Sequence, residues 1–194
     1  MQRGPAKSGA WDADAFYATG ADGWATFSRE WSQYGPISGT CVEIGCGAGR
    51  ITKQLVTAFD AVYAVDVSDR MLELTHEAAP EAVTVLTDGA RIPLDDASAD
   101  AVFSCHVLQH LENGDAVAEA IADIRRLLRP NGTAMLHLLI REDSPGLPQR
   151  LGSEARLRVT RWRNSNRGSY SRVRRYYPSE MRAMFLAAGF RDVE

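Results

Sequence analysis

Val42-Glu43-Ile44-Gly45-Cys46-Gly47-Ala48-Gly49-Arg50 is the stretch that decides the fold of this 194-residue chain. A strand ends, three glycines come at alternate positions, and a helix opens. Glycine lets the backbone turn sharply and lets a ligand press against it with no Cβ in the way. A phosphate-binding P-loop needs G-x4-G-K-[ST], but Arg50-Ile51-Thr52 follows the last glycine, so that reading fails. A dinucleotide fingerprint needs G-x-G-x-x-G; Arg50 stands at the third glycine position and Gly49 comes one residue early. The pattern that fits throughout is E-x-G-x-G-x-G.

Working outward, apolar runs alternate with amphipathic ones, which is the layout of βαβ units. Strands are predicted at Thr40 to Gly45, Ala61 to Asp66, Ala82 to Leu86 and Ala99 to Ser104. Helices are predicted from near Gly49 to about Phe59, from Asp69 to about Ala79, and from Asp115 to Leu128. In the last of these Val117, Ile121, Ile124 and Leu128 share one face. Pro80 and the run Arg129-Pro130-Asn131-Gly132 act as stops. Thr133 to Ile140 reads as a central parallel strand buried on both faces. Pro178-Ser179 starts a helix with Met181, Met184, Phe185 and Ala188 inward, Gly189 ends it, and Phe190 to Glu194 begins another strand. The fold class is α/β: a Rossmann-like, doubly wound, mostly parallel sheet with helices on both faces. The C-terminal strands look truncated at Glu194, so either the fragment is cut or a partner covers an open edge; a homodimer is one such partner.

Composition supports one globular core. The chain is 45% hydrophobic and 24% charged with net charge −3, a balance that favours neither nucleic acid nor membrane. The polar start, Met1 to Gly9, has no apolar region after it, and no run spans a bilayer, so a cytoplasmic location is expected. Cys41, Cys46 and Cys105 are odd in number and poorly spaced for zinc; they read as small buried hydrophobes, and no metal is expected.

From about Trp11 to Glu194 the chain resembles the class I S-adenosylmethionine-dependent methyltransferases, with Val42 to Arg50 similar to that family's first motif. The resemblance implies S-adenosylmethionine as cofactor, with Glu43, Gly45, Cys46 and Gly47 around its methionine moiety. Asp66, closing the second strand, suits a carboxylate that accepts both ribose hydroxyls. Thr87-Asp88-Gly89-Ala90 is similar to the adenine-facing segment, with Asp88 toward the amino group, Gly89 and Ala90 holding the ring, and Val67 and Met71 packed on it. The fourth-strand segment ending in Ser104 would pass beside the sulfonium. The Arg129 to Gly132 turn also matches the family. His106 and His110, which follow that strand, are the candidates for a general base toward the acceptor.

Two segments lie outside the alternation. Residues 1–38 are expected to form an N-terminal helical lid over a methyltransferase domain at 39–194, in which 141–177 is a basic cap or hairpin insertion. Trp24, Phe27, Trp31 and Tyr34 recur as a helical stripe, for which packing on the sheet is the simpler reading. Tyr17 and Trp24 are candidates to line the cofactor mouth. Arg141 to Arg175 holds ten arginines against three acids. This suits a solvated hairpin, capture of an anionic small-molecule acceptor by residues such as Arg174 and Tyr176, or nucleic acid stacked on its aromatics. The acidic remainder opposes a broad nucleic-acid footprint. A small-molecule acceptor is the leading expectation. An RNA or protein methyltransferase, a nicotinamide-dependent oxidoreductase and a non-catalytic cofactor-binding module remain as alternatives.

Overall fold

The computed structural model describes residues 12–141 and 175–194. Trp11, Arg174 and positions 142–174 of the basic insertion expected at 141–177 lie outside the described residues. The chain divides into two compact units, one of residues 1–104 and 126–136, the other of residues 105–125 and 137–194.

The first unit carries the sheet. Its strands are β1 (Thr40–Ile44), β2 (Ala61–Asp66), β3 (Val83–Leu86), β4 (Ala99–Cys105) and β5 (Leu128–His137), in the order β3-β2-β1-β4-β5. The last residue of β4 and of β5 belongs to the second unit. β1 pairs in parallel with both β2 and β4, and β2 with β3. The order reverses at β1, as in a doubly wound sheet, and the crevice at such a reversal is where ligands sit in this architecture. β2 falls where the alternation of apolar residues puts it. β1, β3 and β4 fall within a residue of expectation.

Four expectations change. Helix α2 is Thr52–Ala58, a turn shorter than read, because the chain from Gly47 to Ile51 is still turning. β5 is an outer strand among the described residues rather than a central one, and Thr133 to Leu136 are only half-buried. Its strand conformation starts at Leu128 and runs through Asn131 at φ 67°, so the R-P-N-G run bends the strand instead of preceding it. The fourth change is at the C-terminus. No strand forms at Phe190–Glu194, because Phe190 N–H bonds back to Phe185 O and its ring sits 5.3 Å from Phe185.

Helix α1 (Ala13–Trp31) is capped by Asp12, whose carboxylate accepts from Ala15 N–H. Three of the four stripe residues do pack. Trp24, Phe27 and Trp31 meet Phe103, and the two tryptophans also meet Phe59, with ring centroids 5.3–6.5 Å apart. Trp31 is wholly buried and its indole N–H donates to Thr133 Oγ1 at 2.8 Å. Tyr34 lies beyond the helix and is exposed. Helix α3 (Asp69–Ala78) starts at Ser68, whose hydroxyl accepts from Met71 N–H.

Among its described residues the second unit holds a 3₁₀ turn at Leu108–His110, most of helix α4 (Gly114–Leu127) and helix α5 (Pro178–Ala187). Asn113 caps α4 by accepting from Ala116 N–H, and of the expected inner face Val117, Ile121 and Ile124 are buried on the helix, whereas Leu128 is the first residue of β5. Among the described residues no helix is long and apolar enough to cross a membrane.

Two glycines of α1 give a test of how it is seated. A Cβ on Gly20 would collide with the carbonyl oxygen of Arg50, whereas one on Gly23 meets nothing nearer than 3.5 Å. Gly20→Ala should lower stability in urea melts by about 1–3 kcal/mol through overpacking. Gly23→Ala should raise it by up to about 1 kcal/mol through helix propensity. Equal effects would contradict this seating of α1.

Candidate functional site

The three alternate glycines all take left-handed backbone conformations: Gly45 at φ 74°, Gly47 at 56° and Gly49 at 78°. A side chain at such angles costs roughly 1–2 kcal/mol. The reasons for small size differ along the turn. A Cβ on Gly47 would point into open space, which leaves its surface accessible to a ligand. A Cβ on Gly49 would crowd the backbone of α3 at Thr75, 3.1 Å away.

The turn is fastened on three sides. Gly45 and Cys46 N–H both donate to Val65 O at the end of β2. Thr75 Oγ1, on α3, donates to Gly47 O at 2.8 Å. From α1, the Tyr17 hydroxyl donates to Ala48 O at 2.9 Å, Lys53 Nζ stands 4.7 Å over the Tyr17 ring, and Arg50 reaches back to Thr19 O. Tyr17 therefore lies at the turn. Trp24 does not; its ring is taken up by the aromatic cluster of the core.

Asp66 is the most informative side chain. Its Oδ2 accepts from Gly47 N–H at 2.9 Å and its Oδ1 from Ser68 N–H at 3.0 Å. An ionised carboxylate has about four acceptor positions, so each oxygen keeps one for a ligand hydroxyl. Beside it, Val67 is 64% exposed, an apolar surface that a planar ring would cover. Thr87 N–H donates to Asp66 O, and Gly89 (φ 86°) runs close to Val67. Asp88 is exposed and its Oδ1 accepts from Ala90 N–H, fixing the Asp88-Gly89-Ala90 turn. Met71 is half-buried in the first turn of α3. Sequence reasoning thus placed Gly45, Gly47, Asp66, Val67 and Gly89 in one neighbourhood, and the structure brings them together there.

Other expected residues hold the site from behind. Glu43 is buried and accepts from Thr52 Oγ1 at 2.5 Å, joining β1 to the first turn of α2. Burial pushes its carboxyl up from 4.5 to about 8, opposed by the Thr52 hydrogen bond and by Arg50. Cys46 is likewise buried, which pushes its thiol up to about 12, away from the thiolate form. Ser104 is buried and donates to Ile44 O at 3.0 Å, tying β4 to β1. Thr75 and Thr52 escaped the sequence reading; the only signal was a threonine at an inward position of each helix.

In the second unit, Tyr176, expected at the substrate, is instead wholly buried, with its hydroxyl donated to Leu108 O at 3.0 Å and its backbone bridged to Leu139 and Arg141. A ring with no exposed surface has no face for an acceptor. His106 is half-buried at φ 64° with Nδ1 3.3 Å from Gln109 Oε1, while His110 is exposed at the end of the 3₁₀ turn.

Comparison with known proteins gives a consistent picture. The methyltransferase domain family matches residues 42–136. The chain is similar to an uncharacterized methyltransferase of Mycobacterium tuberculosis, 34% identical over 111 residues that cover 57% of this chain and 44% of that protein. It is also similar to the malonyl-[acyl-carrier protein] O-methyltransferase of Methylococcus capsulatus, 32% identical over 128 residues, covering 59% and 46%. The chain thus spans less than half the length of these two relatives. Among solved structures, the fold is similar to that of the N-methyltransferase NodS from Bradyrhizobium japonicum in complex with S-adenosyl-L-homocysteine. The TM-score is 0.54 at 22% identity, covering 60% of each chain.

Glu43 makes stability depend on pH in an unusual direction. Between about 4.5 and 8 the folded chain keeps a proton that the unfolded chain has released, so stability falls as pH rises through that window. Urea denaturation across pH 5–8 should show Glu43→Gln gaining stability relative to the parent as pH rises, with a limiting slope near 1.4 kcal/mol per unit. Parallel profiles would contradict a buried neutral carboxyl.

Proposed function

We propose that the chain, whose residues 42–136 match the methyltransferase domain family, is a class I S-adenosylmethionine-dependent methyltransferase and binds that cofactor on the Gly45–Gly49 turn. There it methylates a small-molecule acceptor. The observation that carries this reading is Asp66, whose two oxygens each hold one backbone N–H and each retain room for a hydroxyl. Two vicinal ribose hydroxyls match that pair of acceptor positions. Val67 and the Asp88-Gly89-Ala90 turn offer an apolar face and polar backbone for the adenine, and the open surface at Gly47 admits the amino-acid part.

When bound, the cofactor supplies a methyl group activated by its sulfonium, which an in-line nucleophile displaces with a neutral thioether as leaving group. The work left to the chain is positioning, and holding two reactants in register contributes roughly 7–11 kcal/mol in favourable cases. The left-handed turn does this by fixing the open backbone surface at Gly47 before any ligand arrives. Residues 141–177, rich in arginine, are the segment we assign to choosing the acceptor. Their charge favours a carboxylate or phosphate, and the similarity to a malonyl-carrier O-methyltransferase supports an acceptor of that chemical range.

Calorimetry with S-adenosylhomocysteine and with NAD tests the cofactor. The parent chain should bind the former and ignore the latter, and Asp66→Asn should weaken binding about 10- to 100-fold, as expected for a charged hydrogen-bond acceptor. Comparable binding of NAD, or an unchanged affinity in folded Asp66→Asn, would defeat the reading. Labelled methyl donor offered with small carboxylic acids, phosphates and RNA should give labelled small molecules; label in RNA alone would overturn the acceptor assignment.

A further inference from the structure

We propose that Cys105, His106 and His137 form a binding site for a divalent transition metal of zinc type. The three lie together in the second unit, at the ends of β4 and β5, and one ligand atom of each falls within 4.8 Å of the others. Sulfur and imidazole nitrogen are the donors that borderline-soft divalent ions take, which separates this cluster from an acidic patch.

The spacing of Cys105 and His137 fits a tetrahedral ion. Bonds of about 2.3 Å to sulfur and 2.0–2.1 Å to nitrogen put two such ligands roughly 3.6 Å apart. Cys105 Sγ and His137 Nδ1 stand 3.5 Å apart. A ring nitrogen of His106 lies within 4.8 Å of both, so closing it onto the same centre takes a movement of up to about 1 Å. The two imidazoles already meet edge to face, with centroids 4.6 Å apart.

The surroundings hold these groups as ligands are usually held. His106 Nδ1 faces the amide oxygen of buried Gln109, so it carries the proton and Nε2 keeps the lone pair for a metal. Gln109 Oε1 is itself fixed by the N–H of Leu139 at 3.1 Å. The backbone N–H of His106 donates to the carbonyl of His137 at 2.7 Å, locking two ligands to one another. His106 adopts φ 64°, an uncommon conformation for a residue with a side chain, and it turns the chain there immediately after Cys105. Cys105 and His106 are half-buried and His137 exposed, so an ion has a path in from solvent. Cys105 differs in this from Cys41 and Cys46, both buried. Three protein ligands leave a fourth position for water or another donor.

Cobalt titration of the full chain, stripped with chelator, is the test, and it needs no enzymatic readout. One equivalent of Co²⁺ should bring up a near-ultraviolet thiolate-to-cobalt charge-transfer band together with visible ligand-field bands, and added Zn²⁺ should displace both. Cys105→Ser should abolish the charge-transfer band. His137→Gln should weaken zinc binding at least tenfold, and His76→Gln on α3 should bind like the parent. Circular dichroism confirms that each variant is folded, and His106→Ala stands in for any variant that is not. Absence of the band in the folded parent at millimolar cobalt would overturn the proposal. Its persistence in Cys105→Ser, or parental affinity in His137→Gln, would do the same.

Discussion

The carboxylate of Asp66 is the joint on which the glycine turn depends. It ends β2, holds Gly47 N–H with one oxygen and Ser68 N–H with the other, and so sets both the turn after β1 and the entry to α3. A turn of three left-handed glycines has little conformational preference of its own. It becomes a fixed surface because β2, α3 and α1 each grip a different part of it, through Val65 O, Thr75 Oγ1 and the Tyr17 hydroxyl. With its N–H and C=O both held, Gly47 leaves its Cα side open, where an added Cβ would meet nothing within 4 Å.

Buried polar groups around that turn follow one rule: each has a partner that links two elements. Glu43 takes its hydrogen bond from Thr52, Ser104 gives its own to Ile44 O, and Trp31 reaches Thr133 across the sheet layer. A buried polar atom without a partner costs roughly 1–3 kcal/mol, so these pairs specify which elements can be neighbours. Glu43 shows the limit of reading such a residue from its charge. In water it is an anion at neutral pH; in this core it is pushed up to about 8 and acts as a neutral hydrogen-bonding group.

What was legible in the sequence was local. The spacing of Gly45, Gly47 and Gly49 implied a sharp backbone turn, and all three take left-handed conformations there. The apolar face of α4 and the strand ending at Asp66 followed from periodicity alone. Contacts between distant segments were less legible. Thr133 to Ile140 is as apolar as a central strand, yet it stands outermost among the described strands, because strand order is set by crossovers that hydrophobicity does not encode. Phe190 to Glu194 has strand-like composition, but the Phe190 ring finds Phe185 before it finds a sheet. Tyr176 looked like a surface aromatic in a basic run and is buried. Counting cysteines only against one another missed Cys105, whose neighbours are histidines 1 and 32 positions along the chain.

The central claim is that the turn and Asp66 together are shaped for an adenosyl-amino acid rather than a dinucleotide. Backbone amide chemical shifts recorded during titration with S-adenosylhomocysteine test it most directly. The amides of Gly45, Gly47, Ser68 and Gly89 should move together and saturate at one equivalent, with NAD leaving them in place. Shifts confined to other residues, or the same four amides moving with NAD, would contradict it.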